Sequence, residues 1–169
     1  MVEKTNITLI GMPGSGKSTV GRLLAKKLGF RFVDVDALLD EVLGMPPGEF
    51  LKKFGDSEIL KKEEEAILEL EGKKTVYAPG GSCVYSEKAM IHLEEISTII
   101  YLQVHLKDII DRIGSPIGRG IVGSIKKTLE ELYIERTPLY KRYADTTIEA
   151  NEKQIEEIIE EIIERLRPA

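Results

Sequence analysis

The segment at residues 11–18 constrains this chain more than any other part of its sequence, because it reads Gly-Met-Pro-Gly-Ser-Gly-Lys-Ser. A short apolar run at 7–10 precedes it, and a helical pattern with Val20, Leu24 and Leu28 follows it. This is the P-loop pattern between a strand and a helix, in which backbone amides and the helix N-terminus surround phosphate oxygens. The lysine would reach the β- and γ-phosphates, and the serine hydroxyl would bind Mg²⁺. The segment therefore predicts binding of ATP and Mg²⁺.

The size and composition of the chain limit its class. Its 169 residues suit one domain over 1–169, and a net charge of -5 disfavours nonspecific binding to nucleic acid. No apolar run approaches the ~20 residues of a membrane span. The lone cysteine, Cys83, cannot form an internal disulfide, which fits a reducing compartment. We therefore expect a cytoplasmic protein with neither nucleic-acid nor membrane partners.

Short β-like runs alternate with longer helical patterns along the chain. Five strands are predicted, at 7–10, 32–36, 75–78, 98–102 and 146–148. Several of them are continuous apolar runs, which is typical of parallel strands buried on both faces. The alternation of strands and helices predicts an α/β three-layer sandwich around a five-stranded parallel sheet.

Two carboxylates follow the second predicted strand. Asp34 and Asp36 are two residues apart, so both side chains would point to one face of a strand that extends to position 36. They would then project from the carboxyl edge of the sheet, where open α/β sheets bind their ligands. One of them would steer Mg²⁺, and the other would hold or deprotonate a substrate hydroxyl.

A glycine-rich segment at about 114–123 interrupts the regular pattern. It contains four glycines in ten residues, together with Arg119. This composition predicts a mobile loop rather than an element of the core. A flexible lid near a phosphate site suits an arginine that stabilises charge on the transferred phosphoryl group.

Motifs beyond the P-loop narrow the interpretation further. They are Gly-Ser-Gly-Lys-Ser-Thr-Val-Gly at 14–21, Asp-Val-Asp at 34–36, Gly55-Asp56 with Glu63, Gly80-Gly81, Arg119, and Arg-Thr-Pro-Leu-Tyr at 136–140 with Ala144-Asp145. With these motifs the chain resembles the shikimate kinase family of small P-loop kinases. The resemblance implies a nucleoside-monophosphate-kinase-like P-loop NTPase fold and transfer of the γ-phosphate of ATP to a hydroxyl of shikimate or a related small, anionic hydroxy acid. It also implies Mg²⁺, a monomer, and a place in aromatic amino acid biosynthesis.

The resemblance implies a role for each matched position. The catalytic residues would be Lys17, Asp36 and Arg119, with Asp36 as the base for the acceptor hydroxyl. The metal would be held by Ser18 and Asp34. The nucleotide would be bound by Gly11, Gly14, Ser15, Gly16, Lys17, Ser18, Thr19, Arg112 and Arg119. The acceptor would be bound by Asp36, Gly80, Gly81 and Arg136, the last as a clamp for its carboxylate.

Three positions depart from the family pattern. Leu60 stands where the family has an arginine for the acceptor's carboxylate, within the helical segment expected to bind the acceptor, at about 37–71. Ser82 stands where the family has a third glycine, and a serine disfavours positive φ. Gly120 follows the lid arginine in place of the usual proline. Leu60 and Ser82 both concern the acceptor, so the sequence identifies the phosphate donor and leaves the acceptor open.

Three other functions remain at this point. A gluconate-type kinase shares the P-loop and the early carboxylates, although the block at 136–140 favours the shikimate side. A nucleoside monophosphate kinase shares the core and the lid, but it needs several arginines converging on two phosphates. A non-catalytic nucleotide-binding protein would have no reason to keep Asp36, Arg119 and Arg136. The sequence thus favours a small-molecule kinase with a hydroxyl acceptor.

Overall fold

A computed structural model describes residues 4–168 of the chain. Its strands are β1 (Asn6–Ile10), β2 (Arg31–Asp34), β3 (Thr75–Ala78), β4 (Ser97–Gln103) and β5 (Thr146–Glu149). They form one sheet in the order β2-β3-β1-β4-β5, and every neighbouring pair is parallel. The predicted α/β fold with a five-stranded parallel sheet is therefore confirmed.

Eight α-helices connect and cover these strands within residues 4–168. They are α1 (Lys17–Leu28), α2 (Val35–Leu43), α3 (Pro47–Phe54), α4 (Asp56–Leu68), α5 (Glu87–Ile96), α6 (Leu106–Ile113), α7 (Leu129–Tyr143) and α8 (Ile155–Leu166). A 3₁₀ helix, Gly81–Tyr85, lies between β3 and α5. None of the helices in this range is both long and apolar enough to cross a membrane.

The position of β1 determines where a ligand can bind. Its neighbours in the sheet, β3 and β4, lie on opposite sides of it. The chain runs from β1 to β2 on one side and from β3 to β4 on the other side. Adjacent strands whose connections run in opposite directions open a crevice at their carboxyl ends, which here lies between β1 and β3. All five residues of β1 are buried, so this strand fixes the P-loop that follows it to the centre of the sheet.

A small hydrophobic cluster joins the helices on one side of this crevice to the glycine-rich segment. The main core surrounds the sheet, and the second cluster consists of Leu39, Leu43, Phe50, Leu51, Ile59 and Val122. Ile121 belongs to the main core, and it and Val122 are each only 6% exposed. The prediction that 114–123 contributes nothing to the core is therefore wrong at these two residues, because their apolar side chains are buried despite the flanking glycines.

The second strand is shorter than the sequence predicts. β2 ends at Asp34 and α2 begins at Val35, so Asp36 lies in the first turn of a helix. Asp34 is the N-cap of that helix, because its Oδ1 accepts a hydrogen bond of 3.0 Å from the backbone N–H of Ala37. The prediction that both carboxylates share one face of a strand is therefore wrong. Both residues nevertheless follow the carboxyl end of β2.

Candidate active site

The P-loop joins β1 to α1 and turns its backbone at Gly14 and Gly16, whose φ values are 80° and 92°. The ammonium group of Lys17 donates hydrogen bonds of 2.8 and 2.9 Å to two carbonyl oxygens of this loop. Burial lowers the pKa of Lys17, and the nearby carboxylate of Asp36 opposes that shift. The loop thus combines a buried cation with the N-terminus of a 12-residue helix, an arrangement that suits phosphate.

A hydroxyl and a carboxylate meet beside the P-loop. The Ser18 hydroxyl donates a hydrogen bond of 2.8 Å to Oδ2 of Asp34. Within residues 4–168 no group of three or more His, Cys, Asp or Glu side chains could hold a metal ion. A metal here would therefore take most of its ligands from phosphate oxygens and water. This set fits Mg²⁺, which keeps several waters and accepts one or two protein oxygens beside substrate phosphates.

A cavity of about 570 Å³ opens beside the P-loop, at the carboxyl ends of β1 and β3. Of the predicted site residues, the structure places the following around it: Gly14, Gly16, Lys17, Ser18, Thr19, Asp36, Gly80, Gly81, Arg119 and Arg136. Four others do not line the cavity, namely Gly11, Ser15, Asp34 and Arg112. The cavity thus unites positions from the P-loop, α2, the segment after β3, the glycine-rich segment and α7.

Two carboxylates approach each other across Gly80. Asp36 is exposed within the first turn of α2, whereas Glu63 of α4 is only 3% exposed. A Cβ atom on Gly80 would lie 2.9 Å from Oδ1 of Asp36 and 2.9 Å from Oε2 of Glu63. Gly80 therefore has no room for a side chain, and its backbone lies directly against both carboxylates. Although Asp36 is exposed to the cavity, the surrounding protein displaces water from its carboxyl group and thereby raises its pKa, and Lys17 opposes this shift.

Glu63 is a site residue to which the sequence analysis gave no role. Its Oε2 accepts a hydrogen bond of 2.8 Å from the Ser82 hydroxyl, and its Oε1 has no partner in the described structure. Burial raises the pKa of Glu63 to about 7, although the Ser82 hydrogen bond opposes the shift. A sequence signal existed, because this glutamate interrupts the apolar face that Ile59 and Ile67 form on α4.

Arg136 places a buried cation in the cavity wall. Its side chain is 0% exposed, and its guanidinium lies over the Tyr85 ring at 5.1 Å. Nε donates a hydrogen bond to the Tyr85 hydroxyl at 3.1 Å, and Nη2 donates one to the Val122 carbonyl at 2.8 Å. Among the ion pairs of residues 4–168, none pairs a carboxylate with Arg136. A buried guanidinium without a protein anion is suited to hold an anionic ligand.

The departures from the family pattern have clear structural outcomes. Leu60 is half-buried, packs against the second cluster and does not line the cavity. Leu60 therefore has a packing role, and the site has no guanidinium from this position. Ser82 needs no positive φ, because it lies within the 3₁₀ helix Gly81–Tyr85.

Two arginines connect the glycine-rich segment to the P-loop. Nη1 of Arg112 donates a hydrogen bond of 3.0 Å to the carbonyl of Gly14. Nη2 of Arg119 donates one of 3.2 Å to the backbone carbonyl of Arg112. Both side chains are exposed, so neither is buried against protein in this arrangement. Arg119 lines the cavity, whereas Arg112 contacts the P-loop outside it.

The glycine-rich segment also lies directly against the N-terminus of α3. A Cβ on Gly120, whose φ is 68°, would come within 2.5 to 2.8 Å of three Pro47 atoms. A Cβ on Gly48 would come within 2.6 and 2.7 Å of the carbonyl oxygens of Ile117 and Gly118. The two backbones therefore approach each other at a distance that only glycines permit.

The parallel sheet, the P-loop and the glycine-rich segment over a shared cavity define a small P-loop phosphotransferase. The family model for shikimate kinase matches residues 13–167. The chain is 38% identical over 161 residues to a shikimate kinase of Thermodesulfovibrio yellowstonii, covering 94% of this chain and 92% of that protein. It is 36% identical over 161 residues to one of Caldanaerobacter subterraneus subsp. tengcongensis, covering 94% of each. The chain therefore belongs to the shikimate kinase family.

Solved structures agree with this assignment. The shikimate kinase from Acinetobacter baumannii, in complex with shikimate, superposes with a TM-score of 0.87 at 28% identity, covering 97% of this chain and 93% of that one. A gluconokinase from Sinorhizobium meliloti 1021 reaches a TM-score of 0.58 at 17% identity, covering 94% and 89%, which shows a shared fold alone. The predictions of the family and of an ATP-dependent phosphotransferase with a hydroxyl acceptor are thus confirmed.

Proposed function

We propose that this chain transfers the γ-phosphate of ATP to a hydroxyl of shikimate or of a closely related small hydroxy acid. The buried guanidinium of Arg136 carries the proposal, because it lines the same cavity as Lys17 and Asp36. In the described part of the chain it has no carboxylate partner. An anionic acceptor would supply that partner and would place its hydroxyl in the cavity that the P-loop borders.

The nucleotide would occupy the P-loop side of the cavity. Its phosphates would be bound by Lys17, Thr19 and the amides of Gly11, Gly14, Ser15 and Gly16. Arg112 at the end of α6 and Arg119 in the glycine-rich segment would also contact the nucleotide. Ser18 and Asp34 would hold Mg²⁺, which when bound neutralises charge on the β- and γ-phosphates. The 2.8 Å contact between Ser18 and Asp34 supports this pairing, since it puts two suitable oxygens side by side.

The acceptor would occupy the opposite side, beside Gly80. Arg136 would clamp its carboxylate, and the backbones of Gly80 and Gly81 would lie against its ring or chain. Asp36 would orient the attacking hydroxyl and accept its proton. Lys17 and Arg119 would stabilise charge on the transferred phosphoryl group, and closure of the lid would exclude water that could otherwise hydrolyse ATP.

A different small hydroxy acid is the alternative acceptor. The half-buried packing of Leu60 favours it, because the helical side of the cavity then offers no second guanidinium beside Arg136. A nucleoside monophosphate fits less well, since its phosphate would need several converging arginines. We further propose a cytoplasmic monomer. A buried free thiol at Cys83 supports a reducing compartment, and a cavity in which one chain supplies the groups proposed for both substrates supports a monomer.

An acceptor panel in a coupled assay of ADP release tests the proposal. Shikimate, gluconate and AMP are supplied in turn with Mg²⁺ and ATP, and Lys17→Ala is the control for background. We expect ADP release that depends on shikimate and that falls to background in Lys17→Ala. Turnover of gluconate or AMP in preference to shikimate would overturn the proposed acceptor, and equal, negligible turnover of both proteins with every acceptor would favour a non-catalytic protein.

The contact between the glycine-rich segment and α3 leads to a separate prediction. Gly120→Ala is expected to lower kcat for transfer by about tenfold or more and to raise ATP hydrolysis relative to transfer. The added methyl would clash with Pro47 and strain a backbone whose φ is 68°, so the lid could not rest on α3. The ratio of ADP released to acceptor phosphorylated measures this effect.

Matched glycines separate the clash from the strain. Gly114→Ala has a similar φ of 71° with nothing within 4 Å of the new Cβ, and Gly118→Ala meets only Ser115. We expect much smaller effects from both. Gly48→Ala introduces the same clash from the α3 side without a positive φ, and it should reproduce the Gly120→Ala ratio. An unchanged ratio in both Gly120→Ala and Gly48→Ala would contradict a lid that rests on α3.

A further inference from the structure

The proposed function does not yet use Ser82 and Glu63, a hydrogen-bonded pair in the cavity wall. Both side chains are buried, with exposed fractions of 6% and 3%. The Ser82 hydroxyl donates its hydrogen bond to Oε2 of Glu63 at 2.8 Å. Oε1 of Glu63 has no hydrogen-bond partner in the described structure, although the residue lines the cavity. A buried carboxylate oxygen without a partner is costly, so a ligand group is expected to satisfy it.

The surroundings of Glu63 leave Ser82 as its direct partner. The charged and titratable groups around it are Lys17 from α1, Asp36 from α2, Arg136 from α7 and Cys83 from the 3₁₀ helix. None of the ion pairs within 4.0 Å in residues 4–168 involves Glu63. The Ser82 hydroxyl is therefore the only group in the described structure that hydrogen-bonds this carboxylate and fixes its orientation.

The geometry around Gly80 indicates what the free oxygen would bind. Oδ1 of Asp36 and Oε2 of Glu63 each lie 2.9 Å from the same point above Gly80, so they are at most twice that distance apart. A small acceptor that presents one hydroxyl to Asp36 would bring a second hydroxyl on the same molecule near Glu63. The ionised carboxylate is the stronger acceptor of such a hydrogen bond, because neither of its oxygens then carries a proton.

We propose that Ser82 is a positioning residue that sets acceptor specificity: its hydroxyl orients Glu63 so that Oε1 accepts a hydrogen bond from an acceptor hydroxyl other than the one phosphorylated. The hydrogen bond from Ser82 also opposes the rise in the pKa of Glu63 and so favours its ionised form. The acceptor class is then a carboxylate with at least two hydroxyl groups. The identity of the acceptor in this inference rests on the proposed function. The effect of Ser82 on Glu63 in the free enzyme is independent of the proposed function.

Titration of the free enzyme tests the first step without any substrate. The side-chain carboxyls of ¹³C-labelled glutamate are followed by NMR against pH, and Glu63→Gln identifies the signal of Glu63. We expect the signal to titrate near pH 7 in the wild type. Ser82→Ala should raise the midpoint by about one pH unit, because it removes a hydrogen bond to the charged form, and Ser82→Thr should restore it.

Ser86→Ala is the matched control for this titration. Ser86 also follows β3, and its hydroxyl also donates to a glutamate of α4, Glu64, but the pair does not line the cavity. We expect the Glu63 midpoint in Ser86→Ala to equal that of the wild type. An unchanged midpoint in Ser82→Ala, or an equal shift in Ser86→Ala, would overturn the proposal whatever the acceptor proves to be.

Kinetics with paired acceptors test the second step. Shikimate, or the acceptor that the panel selects, is compared with analogues that each lack one hydroxyl. One analogue that keeps the hydroxyl to be phosphorylated should have a kcat/KM about 10–100-fold lower than that of the full acceptor in the wild type. In Ser82→Ala at pH 7, the kcat/KM of the same analogue should be less than about threefold below that of the full acceptor, and the KM for ATP should be unchanged. With the full acceptor, the reduction in kcat/KM that Ser82→Ala causes should become smaller towards pH 9, because Glu63 then ionises without the serine.

The outcomes of these experiments separate the two proposals. If the wild type does not phosphorylate shikimate, the proposed acceptor is overturned. The titration of Glu63 remains valid in that case, and so does the comparison of another acceptor with its analogues. Identical analogue selectivity and identical pH profiles in the wild type and Ser82→Ala overturn the specificity role of Ser82. If Ser82→Ala raised the KM for ATP and the KM for the acceptor by equal factors, Ser82 would have a structural role only.

Discussion

Replacing Asp36 with asparagine is expected to lower kcat for phosphoryl transfer by about 10²–10⁴-fold while changing the affinity for ATP less than about threefold. The asparagine keeps the size of the side chain in the first turn of α2, but it cannot accept the proton of the acceptor hydroxyl. The wild type should also lose activity as pH falls through the pKa of Asp36, which the surrounding protein raises above its ordinary value by displacing water from the carboxyl group. Asp36→Asn should lack this acid limb.

Asp40→Asn is the matched control for this variant. Asp40 lies one turn further along α2 and also lines the cavity. Because Asp36 and not Asp40 lies against Gly80 and near Lys17, we expect Asp40→Asn to change kcat far less. Parallel losses of kcat and ATP affinity in Asp36→Asn, or equal losses of kcat in both variants, would contradict the role of Asp36 as the base.

Replacing Arg136 with methionine is expected to raise the KM for the acceptor by about 30-fold to more than 1,000-fold, with little change in the KM for ATP. Loss of one partner from a buried, hydrogen-bonded charge pair costs about 2–5 kcal/mol or more. Methionine fills a similar volume, so the packing against Tyr85 is largely kept. Steady-state kinetics with the acceptor varied at saturating ATP, and the reverse, measure the two constants separately.

Arg142→Met is the control for removing an arginine from α7. Arg142 lies over the ring of Tyr143 at 5.5 Å, much as Arg136 lies over Tyr85, but it is exposed and does not line the cavity. We expect the KM for the acceptor to remain unchanged in Arg142→Met. If Arg136→Met lowered thermal stability but left the acceptor KM at its wild-type value, the carboxylate clamp would be refuted.

The fold and the nucleotide side were predictable because their signals are local. The P-loop pattern at 11–18 specifies its own turn, and the apolar runs around it specify buried parallel strands. One local error concerned Val35 and Asp36, which begin α2 and do not extend the second strand. The side chain of Asp34 caps this helix through its hydrogen bond with Ala37, so capping prevails over continuation of the strand.

The acceptor side was less predictable because it depends on contacts between distant segments. Ser82 and Glu63 are 19 residues apart, and their hydrogen bond forms only when the 3₁₀ helix packs against α4. Gly48 likewise lies against Ile117 and Gly118, and Gly120 against Pro47, only because α3 and the glycine-rich segment approach each other in the folded chain. A single sequence shows such residues as isolated departures, and their partners become visible only in three dimensions.

The state of the phosphate after turnover tests the central claim of phosphoryl transfer to an acceptor hydroxyl most directly. ³¹P NMR of a reaction with Mg²⁺, ATP and shikimate distinguishes a phosphate ester from inorganic phosphate, and Asp36→Asn serves as the comparison. We predict a new phosphomonoester signal, coupled to a ring C–H proton, that grows in step with ADP and is nearly absent with Asp36→Asn. ADP accompanied by an equal amount of inorganic phosphate, or no ADP with shikimate or any other hydroxy acid, would contradict the account.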